Sequence, residues 1–152
     1  MARNKKYRPR PFESRGSSSD TSANIYMSML ESAAWMNLTA NQQRLYLYCK
    51  AQYYGQKSSE KQSEFHFTMN KHKWCTKYGL YSEANQASFY KDRDVLIAHG
   101  FIRVIENGKS TRTKTVYAYW DMWQKWGADH FKVDIEYMST TMLKKRAESR
   151  KE

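Results

Sequence analysis

Residues 82–120 constrain this chain more tightly than any other stretch. Ser82 is a residue type that favours helix N-caps, and Phe89, Val95, Leu96 and His99 lie on one side of the helical run that follows. Gly100 closes that run, since helices commonly end in a glycine. Phe101-Ile102-Arg103-Val104-Ile105 is then strongly β-branched and reads as a strand. Asn107-Gly108 is a strong short hairpin signal. Thr113 to Trp120 supplies the return strand, with Val116, Ala118 and Trp120 facing one way and Thr115, Tyr117 and Tyr119 the other. A helix running straight into a hairpin predicts an α+β, mainly helical fold.

The upstream sequence supplies the helices. Tyr26, Met29, Leu30 and Ala33 recur at helical spacing and predict one short helix within 25–35. Thr39-Ala40-Asn41-Gln42 matches the capping box, with Thr39 as N-cap and Gln42 at the third helical position. The helix it opens is apolar on more than one side, through Leu45, Tyr46, Leu47, Tyr48 and Cys49, which predicts a central place in the core and an end near Gly55. A polar loop, 56–63, precedes the alternating strand Phe65 to Thr68. Asn70 is placed to cap a second helix, through Trp74 to Tyr78 and stopped by Gly79. Beyond the hairpin, Asp121 starts a short helix, and Trp120, Trp123 and Trp126 form a stripe that closes the core. Phe131, Ile135, Met138 and Met142 continue at amphipathic helical spacing.

Several classes drop out. At 152 residues the chain holds one modest core, and with aromatics at 15% that core is built on rings. No apolar run approaches the roughly 18 residues of a membrane span, and no apolar leader opens the chain, so the expectation is a cytoplasmic protein with no membrane partner. Cys49 and Cys75 read as buried thiols, and His99 as a C-terminal helix cap. His72 and Cys75 share a helix, but His66, His72, His99 and His130 give no ligand pairs at structural-zinc spacing, so no metal is expected. Tyr81, Tyr90 and Tyr119 lack the metal-binding histidine cluster that a tyrosine nucleophile of the relaxase kind needs. With no nucleotide-binding glycine loop either, the expectation is no enzyme and no cofactor.

The net charge of +11 points to nucleic acid. Much of it lies at the ends. Arg3, Lys5, Lys6, Arg8, Arg10 and Arg15 face only Glu13 in residues 1–16, and Lys144, Lys145, Arg146, Arg150 and Lys151 face Glu148 and Glu152 near the C-terminus. Three regions follow: a basic disordered arm over 1–24, a folded domain over 25–126, and a C-terminal amphipathic helix with basic tail over 127–152.

Helix, short strand, helix, turn, longer helix, strand, hairpin and strand is the order of a winged helix-turn-helix with a two- to three-stranded wing sheet. Gly100-Phe101-Ile102, following Val95-Leu96-Ile97, resembles the junction between recognition helix and wing in winged-helix DNA-binding proteins. SAAWMNLTANQQRLYLYCKAQYYG, residues 32–55, resembles the opening of small winged-helix proteins of plasmids, phages and conjugative elements, and Phe65 to Trp120 is similar to the rest of that module. Two positions depart from the pattern: Leu80 to Ser88 lengthen the turn between Gly79 and Phe89, and Arg93 stands where an aliphatic core residue is usual.

The resemblance implies sequence-specific binding of double-stranded DNA in replication, conjugative transfer or regulation. It implies a third helix in the major groove, with Ser82, Asn85, Gln86, Ser88, Tyr90 and Lys91 as base contacts. Lys71 and Lys73 from the second helix, and Asn107, Lys109, Ser110, Thr111, Arg112 and Lys114 from the acid-free wing, would hold phosphates. Two alternatives stay open: a protein-interaction adaptor, with a second copy or an element-encoded protein docked on the C-terminal stripe, and a single-strand or RNA binder using the tyrosines.

Overall fold

Thr39 and Gln42 cap a helix reciprocally. The Gln42 backbone N–H donates to Thr39 Oγ1 at 3.4 Å, and the Thr39 N–H donates to Gln42 Oε1 at 2.9 Å. The helix they open is α3 (Ala40–Lys50) of a computed structural model that describes residues 14, 16, 22–52, 66–82, 84, 86–108 and 111–133. Before it lie α1 (Met27–Leu30) and α2 (Ala33–Met36); after it come β1 (His66–Thr68), α4 (Lys71–Thr76), α5 (Gln86–Ala98), β2 (Ile102–Glu106), β3 (Val116–Tyr119) and a 3-10 helix, Met122–Lys125. The described chain is thus an α+β fold with five α-helices and one three-stranded antiparallel sheet of order β1-β3-β2. None of its helices is long and apolar enough to cross a membrane.

Four boundaries differ from the sequence reading. The single N-terminal helix is two one-turn helices, because the Ser32 side chain accepts from the Trp35 N–H at 3.2 Å and starts a second helix where the first was expected to continue. Helix α3 ends at Lys50 with Ala51 as its cap, short of Gly55. Helix α5 begins at Gln86, four residues beyond Ser82, so Ser82 belongs to the turn and not to the cap. Asn107-Gly108 makes no tight two-residue turn. Neither residue has the positive φ such a turn requires, and Glu106 pairs with Val116, leaving a loop over 107–115.

The core is aromatic at its centre. Trp35, Tyr46 and Phe101 meet edge-on or tilted with ring centroids 5.2–5.9 Å apart. Leu45, Cys49, Trp74, Leu96, Ile97 and Ile102 complete it, all essentially buried. Phe67 stacks on Tyr117 and Tyr119, so these rings share the face of the sheet that packs on the helices. Ala118 points the other way and is covered through its cross-strand partners His66 and Arg103, which explains two consecutive buried positions in β3. Cys75 is only half-buried, unlike Cys49.

Gly100 links the two halves of the fold. Its φ of +81° ends α5, and a Cβ there would stand 2.7 Å from the backbone of Met122 and Trp123. That close approach lets Trp123 stack on Phe101, while Trp126 stacks on His99. The tryptophan stripe is accordingly two residues, not three: Trp123 and Trp126 pack against the core, whereas Trp120 lies beneath the Arg103 guanidinium. Phe131 is in no helix, and Ile135, Met138 and Met142 lie outside the described residues, as do nearly all of the N-terminal arm and the whole basic C-terminal tail.

Candidate nucleic-acid interface

The sheet register brings three of the expected contact elements to one end of the molecule. Thr68, the last residue of β1, pairs with Val116, where the 107–115 loop returns to the sheet. Two residues beyond Thr68, Asn70 Oδ1 accepts from the Lys73 N–H at 3.0 Å and caps α4. The first residue of α4, Lys71, then reaches α5: its Nζ donates to Gln86 Oε1 at 2.9 Å and to Tyr90 Oη at 3.3 Å, and lies 4.9 Å from the Tyr90 ring centre. Loop base, α4 N-terminus and α5 N-terminus are thereby tied in sequence.

At 100° per residue, the exposed arc of the first turns of α5 runs from Gln86 and Tyr90 through Ala87 to Lys91, with Ser88 at its far edge. The expected base-contact residues therefore divide between two flanks. Gln86 and Tyr90 form one, with Lys71. Ser82, Ser88 and Lys91 line the other, an open cleft shared with Thr39, Asn41 and Asp92. Ala87 lies between them. No charge or hydrogen-bonding signal marks it in sequence, yet it stands at the middle of the arc that a groove would meet. Asn85 lies outside the described residues.

The second flank is anchored by a buried polar network. Gln42 accepts with its Oε1 in the capping box and donates with its Nε2 to Asp92 Oδ1 at 3.1 Å. Tyr81 Oη donates to Asp92 Oδ2 at 2.6 Å. Burial, and then this bond to a carboxylate, push the Tyr81 phenol well above its ordinary range, so it stays a donor at any working pH. The first residues after Gly79 are thus fixed: Leu80 and Tyr81 are buried, and Tyr81 ties them to α5 and, through Asp92, to α3. Arg93 is accommodated at the edge of the core. Its guanidinium donates to fully buried Asp94 at 2.7 Å, bonds Tyr117, and lies 5.0 Å from the Tyr90 ring centre.

His99 also takes the capping role expected of it. Its Nδ1 lies 2.8 Å from the Val95 carbonyl and its Nε2 2.8 Å from Asn37 Oδ1, and burial lowers its pKa below the usual imidazole value. This joins α5 to the end of α2.

In the 107–115 loop, Thr111, Arg112 and Lys114 are exposed, while Lys109 and Ser110 lie outside the described residues. Thr111, the described hydroxyl expected to meet phosphate, is first used internally. Thr111 and Thr113 bond each other at 2.7 Å, and Thr115 Oγ1 accepts from the Gly108 N–H at 3.3 Å. The Thr113 N–H donates to the Gly108 carbonyl at 3.0 Å. Gly108 is buried against that turn, and a Cβ on it would collide with the Thr113 carbonyl. Arg112 carries φ +54°, the left-handed region that costs a non-glycine residue about 1–2 kcal/mol. Asn107 is exposed at the entry to the loop.

Among the described residues no group of three or more His, Cys, Asp or Glu side chains is arranged to hold a metal. No family model, curated protein or solved structure matches the chain.

Proposed function

We propose that this chain is a winged helix-turn-helix protein that binds double-stranded DNA sequence-specifically and catalyses no reaction. Helices α4 and α5 form the helix-turn-helix pair, and the β2–β3 hairpin is the wing. Gln86, Ala87, Tyr90 and Lys91 meet base edges in the major groove, where an amide side chain pairs with adenine and a small apolar one accommodates the thymine methyl. Lys71, Lys73, Arg112 and Lys114 hold phosphates, and Lys109, Ser110 and Asn85 extend the two contact elements.

The observation that carries this reading is the Thr68–Val116 register, which sets an acid-free loop beside the capped start of α4, from which Lys71 reaches the exposed start of α5. A replication, conjugative-transfer or regulatory role in a mobile element rests on the sequence resemblance alone, and footprinting on DNA flanking the gene tests it. The decisive binding experiment pairs Arg112→Ala with Lys114→Ala. Two lost phosphate contacts predict about 100-fold weaker duplex binding near 0.1 M salt. Unchanged duplex affinity would refute the wing assignment, and wild-type binding indifferent to salt would refute phosphate contact altogether.

A second reading has one observation in its favour. Tyr26, Met27 and Met36 on and beside α1 and α2 are 71%, 63% and 67% exposed, an apolar surface of the kind a protein partner or a second copy covers. Sedimentation of the full chain without DNA separates the two: self-association lost on Met27→Asp would favour the adaptor.

A further inference from the structure

A second cationic surface lies on the outer side of α3 and α4. Arg44 Nη2 donates to the Tyr78 carbonyl at 3.2 Å, and its guanidinium carbon lies 6.0 Å from the Tyr48 ring centre. Tyr48 and Tyr78 stack at 5.1 Å and 18°. Lys73 and Lys77 hold their ammonium groups 5.5 and 5.9 Å from the Tyr78 ring centre. Three cations of two helices thus gather around one pair of rings. Among the described residues none of the three makes a salt bridge, and those between 32 and 82 include Arg44, Lys50, Lys71, Lys73 and Lys77 and neither Asp nor Glu. A solvated helix face ordinarily mixes both signs.

We propose that Arg44, Lys73 and Lys77 form a second phosphate-binding surface, which takes the backbone of the bound nucleic acid and not its bases. This rests on the duplex-binding reading above and deepens it by adding Arg44 and Lys77 to the footprint. The rings decide the ligand's chemistry. A base stacks only on an open aromatic face, and here Tyr48 covers one face of Tyr78 while ammonium groups stand over the ring. Tyr48 is crowded likewise, with Tyr78 stacked on it, the Arg44 guanidinium 6.0 Å from its centre and Trp74 tilted at 5.9 Å. The rings act as platforms that hold the cations in place, so less side-chain freedom is lost when an anion binds. Arg44 spends one N–H on the Tyr78 carbonyl and keeps the rest of its fork for a phosphate. An acidic protein partner fits less well, since protein interfaces are anchored by exposed aromatic or apolar side chains, and the rings here are covered.

The test is a salt titration of duplex binding by the full chain, with Arg44→Gln, Lys73→Gln and Lys77→Gln compared with wild type. Each removed cation should lower the slope of log affinity against log salt by about 0.9 and weaken binding about tenfold near 0.1 M salt, with base preference unchanged. Lys77→Gln carries the result if Arg44→Gln lowers the melting temperature, because among the described residues the Lys77 ammonium is set only near the Tyr78 ring, with no hydrogen bond to lose. If the Arg44→Gln and Lys77→Gln slopes match wild type while Arg112→Ala weakens binding, the second surface is refuted and the duplex reading stands. If wild type binds no duplex, both fall. Tighter binding of a single strand through these cations, or displacement of duplex by polyglutamate of equal charge, would also overturn the proposal.

Discussion

The 107–115 connection, the wing of the proposed reading, and the α4–α5 corner both present cations, but hold them in opposite ways. In the corner, Lys71 is fixed by two side-chain hydrogen bonds and an aromatic ring, and its backbone is an ordinary capped helix. In the wing, Arg112 sits on left-handed backbone, and the loop is held by its own threonine hydroxyls and a buried glycine. The corner is organised by side-chain bonds between two elements, so its geometry depends on how α4 and α5 are placed. The wing is organised locally and should fail locally.

The largest expected effect comes from breaking the wing alone. Gly108→Ala forces a Cβ into the Thr113 carbonyl, which the loop relieves only by opening, at a cost of about 3 kcal/mol to the loop conformation. Amide exchange at Thr113, whose N–H donates to the Gly108 carbonyl, should accelerate about 100-fold, while the corner amides keep their protection. Duplex affinity should fall as far as in the Arg112→Ala, Lys114→Ala pair. Full affinity with an open loop would mean that the corner holds the DNA unaided.

The next effect separates the two flanks of α5. Tyr81→Phe removes a 2.6 Å bond from the carboxylate of Asp92, which is nearly buried, and should cost about 2 kcal/mol of stability in chemical denaturation. Lys71, Gln86 and Tyr90 lie on the other flank and are untouched, so duplex affinity of the folded variant should change less than threefold. A loss of affinity larger than the loss of stability would show that Ser82 and Ser88, beyond Lys91 in the cleft, also meet DNA.

What the sequence made legible was local and covalently near. The Thr39–Gln42 capping box, the Asn70 cap and the strand after Gly100 each depend on residues within four positions, and each is found. What it concealed were partnerships across the fold. The Gln42 amide that completes a capping box also reaches Asp92, fifty residues away, and nothing in the spacing of Thr39 and Gln42 signals that second bond. Asn107-Gly108 signalled the β2–β3 hairpin that is found, but not that the hydroxyls of Thr111 and Thr115, farther along, would hydrogen-bond Gly108. The base-contact candidates were legible by type but not by direction. Only the angular position on α5, set by which residues the core buries, divides Gln86 and Tyr90 from Ser88 and Lys91.

The smallest effect is the most diagnostic of how the wing is built. Arg112→Gly removes a side chain from left-handed backbone, a gain of about 1 kcal/mol, and loosens the unfolded chain, a cost of similar or slightly smaller size. The net should be a rise in stability of about 0.5 kcal/mol at most, read as slower amide exchange in the loop. The same substitution removes one phosphate contact, so duplex affinity should drop about tenfold near 0.1 M salt. Stability and binding then move in opposite directions at one residue. Arg112→Ala separates the causes: it loses the cation and keeps the backbone strain, so binding should drop equally with no gain in loop protection. If the glycine and alanine variants protect the loop equally, the left-handed backbone at Arg112 carries no cost. If both bind as tightly as wild type, the exposed guanidinium is not a contact, and the wing's hold would rest on Lys114.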